Sequence, residues 1–213
     1  MRQDLTEITI LLDSSGSMYD CINDTQQGLR AFIEKQRSVP GCCDVNVYEF
    51  SLKTNILKEK LDIYNDEDIT KLLVDYKNSL GGGTALYDAV FNLINNVGKK
   101  LSDTPEQDRP SCVNIVIITD GEENSSIETN LLHLKEMIKH QKEVYNWTFT
   151  FIGADISTAD AVSMNIDAAT SVSISKSKIL QGMEAASIKL CSYRNSRNVA
   201  DLHYSNEERS QLS

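Results

Sequence analysis

Thr6-Glu7-Ile8-Thr9-Ile10-Leu11-Leu12-Asp13-Ser14-Ser15-Gly16-Ser17 is the stretch around which the chain is organised. Ile8, Ile10 and Leu12 recur at every second position, the period of a strand with a face in a core, and a helical pattern follows Ser17. Asp13–Ser17 therefore reads as a polar loop at the carboxyl end of a buried strand. In it Asp13, Ser15 and Ser17 offer a carboxylate and two hydroxyls at alternate positions, hard oxygen donors that suit a magnesium-like cation better than sulfur or imidazole would. The same residues also suit a helix N-terminus, where one Ser or Asp caps orphan amides.

Two distant segments bear on that choice. In Leu80-Gly81-Gly82-Gly83-Thr84-Ala85-Leu86-Tyr87-Asp88 a flexible glycine run ends in a hydroxyl just ahead of an amphipathic helix, so Thr84 can reach a cation from a loop. Val113 to Thr119 is nearly continuous in apolar residues, as expected of a central parallel strand, and runs into Asp120-Gly121-Glu122-Glu123-Asn124. Asp120 then lies at that strand's carboxyl end. Ligands of open α/β sheets collect outside the carboxyl ends of the strands, which gives the three segments a common place to meet.

The set Asp13-x-Ser15-x-Ser17, then Thr84, then Asp120 resembles the metal-ion-dependent adhesion site (MIDAS) of the von Willebrand factor A (vWA) family, with all parts present in order. The resemblance takes in residues 5–197, including strand order and the late segment Phe149–Asp155. It implies that Ser15, Ser17 and Thr84 contact the cation, while Asp13 and Asp120 bind directly or through water. It also implies Mg2+, although hard oxygen ligands do not separate this ion from Mn2+ or Ca2+. In the family an Asp or Glu of a protein partner commonly completes the octahedron. Metal-bridged recognition without covalent chemistry is the implied function. The chain is similar to stand-alone intracellular vWA proteins of bacteria and their phages, which suggests an adaptor or regulator.

Composition narrows the field. A chain of 213 residues is near the size of one large α/β domain. Acidic residues outnumber basic ones by 31 to 21, for a formal net charge of -10, and no Lys/Arg cluster offers a footprint for nucleic acid or an anionic membrane. Met1–Asp4 lacks the apolar region of a signal peptide, and no apolar run approaches the roughly 20 residues that span a bilayer. A cytoplasmic protein is the simplest account. Five cysteines, Cys21, Cys42, Cys43, Cys112 and Cys191, form an odd set without C-x-x-C and read as reduced, mostly buried thiols.

The architecture expected is doubly wound α/β: a mostly parallel sheet with one antiparallel edge strand and helices on both faces. Residues 6–12 form the first strand and Asp20–Gln36 a helix, in which Gly28 marks either close packing on the sheet or simple tolerance. Cys43–Phe50 and Thr54–Leu61 read as an inner strand and its hairpin partner. Asn65 to Asp68 is a capped helix start, and its acids also suit the positive end of the helix dipole. Leu86, Val90, Leu93 and Val97 make a core stripe on a helix ending near Gly98. Ser102–Pro110 is a polar loop and a candidate for mobility. Ser126–Glu143 is expected to be helical with Ile127, Leu131, Leu134 and Ile138 inward, and His133 and His140 opposite as surface residues. Trp147–Ile152, Ser157–Met164, Ala169–Ile174 and Lys176–Arg197 complete the elements. These make residues 1–197 the vWA domain and 198–213 a polar, flexible tail.

Two other functions are weighed beside recognition. A metal-dependent phosphoryl-transfer or hydrolytic enzyme would use the same ion, but Gly81–Thr84 has no Lys for a Walker A loop and Leu86 breaks G-x-G-x-x-G. Ser15 lacks the G-x-S-x-G context, and Asp13 lacks a second Asp two residues on. Glu122 and Glu123 are the candidate bases, with exposed turn acids as the plainer reading. Self-assembly, with Glu207 or Glu208 of the tail entering a neighbour's cation site, is the third.

Overall fold

The computed structural model describes residues 1–213. Six strands form one sheet: β1 (Arg2–Asp13), β2 (Cys42–Phe50), β3 (Thr54–Leu61), β4 (Pro110–Thr119), β5 (Thr148–Ala154) and β6 (Ser171–Ile174). Their spatial order is β3-β2-β1-β4-β5-β6. Only β2 and β3 pair antiparallel, as the hairpin pattern predicts, and every other pair is parallel. The chain leaves β1 toward β2 on one side and returns at β4 on the other, so the topological switch point lies between β1 and β4. Leu12 stands opposite Ile118 there, which places Asp13 and Asp120 at adjacent strand ends.

Helices cover both faces, which explains the nearly continuous apolar run of β4. Val116 and Ile118 join Ile8, Ile10 and Leu12 in one core with α1 (Ile22–Gln36), α2 (Asp66–Asn78) and α6 (Ile179–Ser196). Val113, Ile115 and Ile117 enter the other with α3 (Leu86–Asp103), α4 (Leu131–Tyr145) and α5 (Thr158–Ser163). α2 starts where expected: the Asn65 side chain accepts from the amides of Glu67 and Asp68. Gly28 does mark a close approach, but to a helix and not to the sheet. A Cβ there would lie 2.7 Å from Met183 Sδ of α6.

Several boundaries differ from the sequence expectation, each for a local reason. α3 continues past Gly98 to Asp103, and Arg109 donates to the carbonyls of Ser102 and Thr104, so much of the expected Ser102–Pro110 loop is helix end and turn. α4 begins at Leu131, not Ser126, and Ile127 is 92% exposed rather than inward. The amides of Ile127, Glu128 and Thr129 instead donate to the Asp88 carboxylate. The expected flexible tail is folded: Val199–Leu202 is a 3-10 turn and α7 (Asn206–Leu212) a capped helix. Leu202, Tyr204 and Leu212 are buried in the first core. Arg209 donates to the carbonyls of Ala168 and Ser171, which docks α7 beside β6.

Candidate metal centre

The end of β1 is fixed before its side chains are considered. Tyr76, fully buried on α2, donates its hydroxyl to the Asp13 carbonyl at 2.6 Å. The Ser14 amide donates to Phe50 O at the end of β2, and Ser14 Oγ bonds both Phe50 O and the buried Glu49 carboxylate. The glycine loop is strapped alongside: Gly81 N donates to Ser14 O at 2.7 Å and Gly16 N to Gly82 O at 3.2 Å. Gly81 and Gly82 have φ of 140° and 90°, left-handed geometry that favours glycine. The loop then delivers Thr84, whose amide donates to Asn124 Oδ1 and whose carbonyl accepts from Asn124 N.

Four of the five sequence-predicted residues form one chain of contacts. Asp13 Oδ1 accepts from Ser15 N at 2.7 Å and its Oδ2 from Thr119 Oγ1 at 2.6 Å. Ser15 Oγ lies 3.1 Å from Ser17 Oγ, which donates to Asp120 Oδ1 at 2.6 Å. Thr84 joins through Gly121: a Cβ on that glycine would stand 2.7 Å from Thr84 Oγ1, so only a bare α-carbon lets the β4 loop close on it. Asp13, Ser15 and Thr84 are buried, as is the Asp120 side chain. Burial pushes the Asp13 carboxyl above its ordinary range, against the hydrogen bonds from Thr119 and Ser15, and the nearby Asp120 charge adds to the rise.

A positive charge completes the cluster, and no sequence pattern pointed to it. Lys176, just beyond β6, sets its ammonium against Asp120 Oδ2 and donates to Ser17 O at 2.7 Å. Asp120 Oδ2 is thus held by the Lys176 ammonium, while Oδ1 is held by Ser17 Oγ. Burial works against the ammonium, but the contact with Asp120 outweighs it and the Lys176 pKa is raised. Asp155 fixes the lysine's backbone by accepting from Lys176 N at 3.2 Å.

Glu123, weighed above as a base, is committed elsewhere. It accepts from the amides of Tyr87, Ser125 and Ser126 and from Ser126 Oγ, all within 2.7–2.9 Å. With Asp88 it braces the segment after Asp120 against the start of α3. No trio of His, Cys, Asp or Glu side chains gathers to hold a metal. The oxygen set here depends on hydroxyls, and two buried carboxylates beside three hydroxyl-bearing residues fit a hard cation.

The profile of the von Willebrand factor type A domain matches residues 7–166, and the chain belongs to that family. The family is one of metal-dependent protein-interaction modules. Solved structures with the same fold include a von Willebrand factor type A protein from Catenulispora acidiphila (TM-score 0.62, 14% identity, 86% of this chain and 42% of that one). Proximal thread matrix protein 1 from the mussel byssus, solved with a zinc-occupied MIDAS motif, also aligns (TM-score 0.62, 17% identity, 87% and 48%). So does the PilB minor pilin from Streptococcus sanguinis (TM-score 0.62, 10% identity, 87% and 61%). The chain therefore spans less than half the length of the first two. No protein of curated function matches it by sequence. No helix is long and apolar enough to cross a membrane.

Proposed function

We propose that this chain is a divalent-cation-dependent protein-recognition module acting as an adaptor or regulator. Ser15, Ser17 and Thr84 contact the ion, Asp13 and Asp120 hold it directly or through water, and an Asp or Glu of a protein partner completes its shell. Mg2+ is the ion proposed, with Mn2+ or Ca2+ as chemical equivalents. The observation that carries this reading is the bond from Ser17 Oγ to Asp120 Oδ1, which joins residues 103 positions apart at the switch point of the sheet. Two buried carboxylates and three hydroxyls have no shared apolar role there. The ion supplies a Lewis-acidic position for an external carboxylate, and the chain's own residues orient it and exclude water from one side.

Recognition without catalysis is favoured by Glu123, whose carboxylate is saturated by four donors of its own neighbourhood. A cytoplasmic setting is part of this reading, resting on an odd set of five cysteines without C-x-x-C. Self-assembly through the tail is disfavoured, because Glu208 caps α7 and pairs with Lys189 at 2.7 Å. The test is an affinity pull-down from the source cell lysate in Mg2+ and again in EDTA, with wild type and Asp13→Ala. A partner lost in EDTA and with the variant is the expected result; a partner retained in both would move the binding surface off this site.

A further inference from the structure

We propose that Lys176 is a resident counter-cation of the centre: it neutralises Asp120 before a divalent ion arrives, weakens that ion's binding, and leaves the loaded site with a net positive charge that an anionic ligand relieves. This rests on the metal-dependent reading above. The two oxygens of Asp120 are divided between opposite duties. Oδ1 accepts from Ser17 Oγ, on the side of the hydroxyls, while Oδ2 faces Lys176 Nζ.

The ammonium is held in place rather than left to wander. Its backbone is tied by Asp155, its Nζ donates to Ser17 O, and its side chain is only 24% exposed. The other acid within reach is Asp20, whose Oδ2 lies 4.0 Å from Nζ but whose side chain is 87% exposed, so solvent screens it. A buried carboxylate without a counter-charge is costly, and Lys176 supplies one in the metal-free protein.

The consequence follows from counting charges. Asp13 and Asp120 would balance a divalent ion by themselves and leave little electrostatic demand for a further anion. Lys176 cancels one of them. A loaded site then presents excess positive charge at an open coordination position, where a carboxylate is attracted and a neutral donor such as an amide is not. The lysine lowers affinity for the metal and raises the selectivity of the loaded metal for an anionic partner group.

The experiment uses Mn2+ alone as the probe, by titration calorimetry and thermal unfolding on wild type, Lys176→Met and Lys176→Arg. With the opposing charge removed, Lys176→Met is expected to bind Mn2+ about tenfold tighter or more. It should also unfold at a lower temperature without metal and gain more from Mn2+ than wild type does. Lys176→Arg keeps the charge and should stay within about threefold of wild type. Acetate added to the Mn2+-loaded proteins, followed by water-proton relaxation, should displace bound water at lower concentration in wild type than in Lys176→Met. Should Lys176→Met not fold, Lys176→Gln carries the same expectations. Equal or weaker Mn2+ binding by the neutral variant, with wild type binding normally, overturns this inference alone. No Mn2+ binding by either protein overturns the proposed function together with it.

Discussion

Two buried carboxylates, Glu7 of β1 and Asp120 just beyond β4, meet lysines in very different company. Glu7, about 20 Å along the strand from Asp13, accepts from Lys100 Nζ at 3.1 Å and from Asn46 Nδ2 at 3.3 Å, and Asn46 in turn accepts from Lys60 N. At the other end Asp120 meets Lys176, beside Asp13 and the hydroxyls of Ser15 and Ser17. The two lysine side chains are nearly equally exposed, 27% and 24%. Exposure therefore does not distinguish the pairs; their neighbours do. Glu7 is closed by an amide that supplies donors. Asp120 is met by Ser17 Oγ and by Lys176, and the Ser15 hydroxyl and the Asp13 carboxylate beside them add further oxygen lone pairs. A cation would suit that oxygen-rich cluster, whereas Glu7 is bonded by the Lys100 ammonium and the Asn46 amide.

The comparison is broken most directly by removing the charge of Asp13. Asp13→Asn should lower Mn2+ affinity about 100-fold while Glu7→Gln leaves it unchanged, both read by calorimetry. Equal losses in the two variants would mean that metal binding reports general stability. A smaller effect is expected from Asp88→Ala, which strands the amides of Ile127, Glu128 and Thr129. It should cost about 2–3 kcal/mol of unfolding free energy, read by denaturant titration, and weaken metal binding only through the loosened segment after Asp120.

The smallest effect concerns Glu7 itself. Burial raises its carboxyl pKa against the pull of Lys100, so the native state holds this proton at a higher pH than the unfolded chain does. The native state then binds more protons than the unfolded one across the window between the two values. Stability from this group is accordingly lost as pH rises through it. Glu7→Gln, of similar size and still able to bond Asn46, should change stability at neutral pH by only about 1 kcal/mol, and should look relatively better at neutral pH than in acid. The opposite trend in pH-dependent denaturant unfolding would show that the Lys100 pair outweighs burial.

The sequence was legible where chemistry is local. Ile8, Ile10 and Leu12 leading into Asp13, Ser15 and Ser17 announce a strand and its oxygen-rich loop, and the run from Val113 announces a strand covered on both faces. Asn65 announces its helix because the cap and the amides it serves are two and three residues apart. Legibility failed where distant side chains capture backbone. Ser126–Asn130 has a helical pattern, but Asp88, about 40 positions earlier, takes its amides first. In 198–213 the polar majority masks Leu202, Tyr204 and Leu212, whose partners lie on other elements. Lys176 sits 159 positions from the carbonyl it contacts, and no spacing rule links the two.

The most direct test of the central claim is an anomalous difference map from crystals of the protein grown with Mn2+. The account predicts one strong peak bounded by the hydroxyls of Ser15, Ser17 and Thr84, with Asp13 and Asp120 as ligands or one water away. A map without a peak there, or with Mn2+ held only at exposed acids elsewhere, would contradict it.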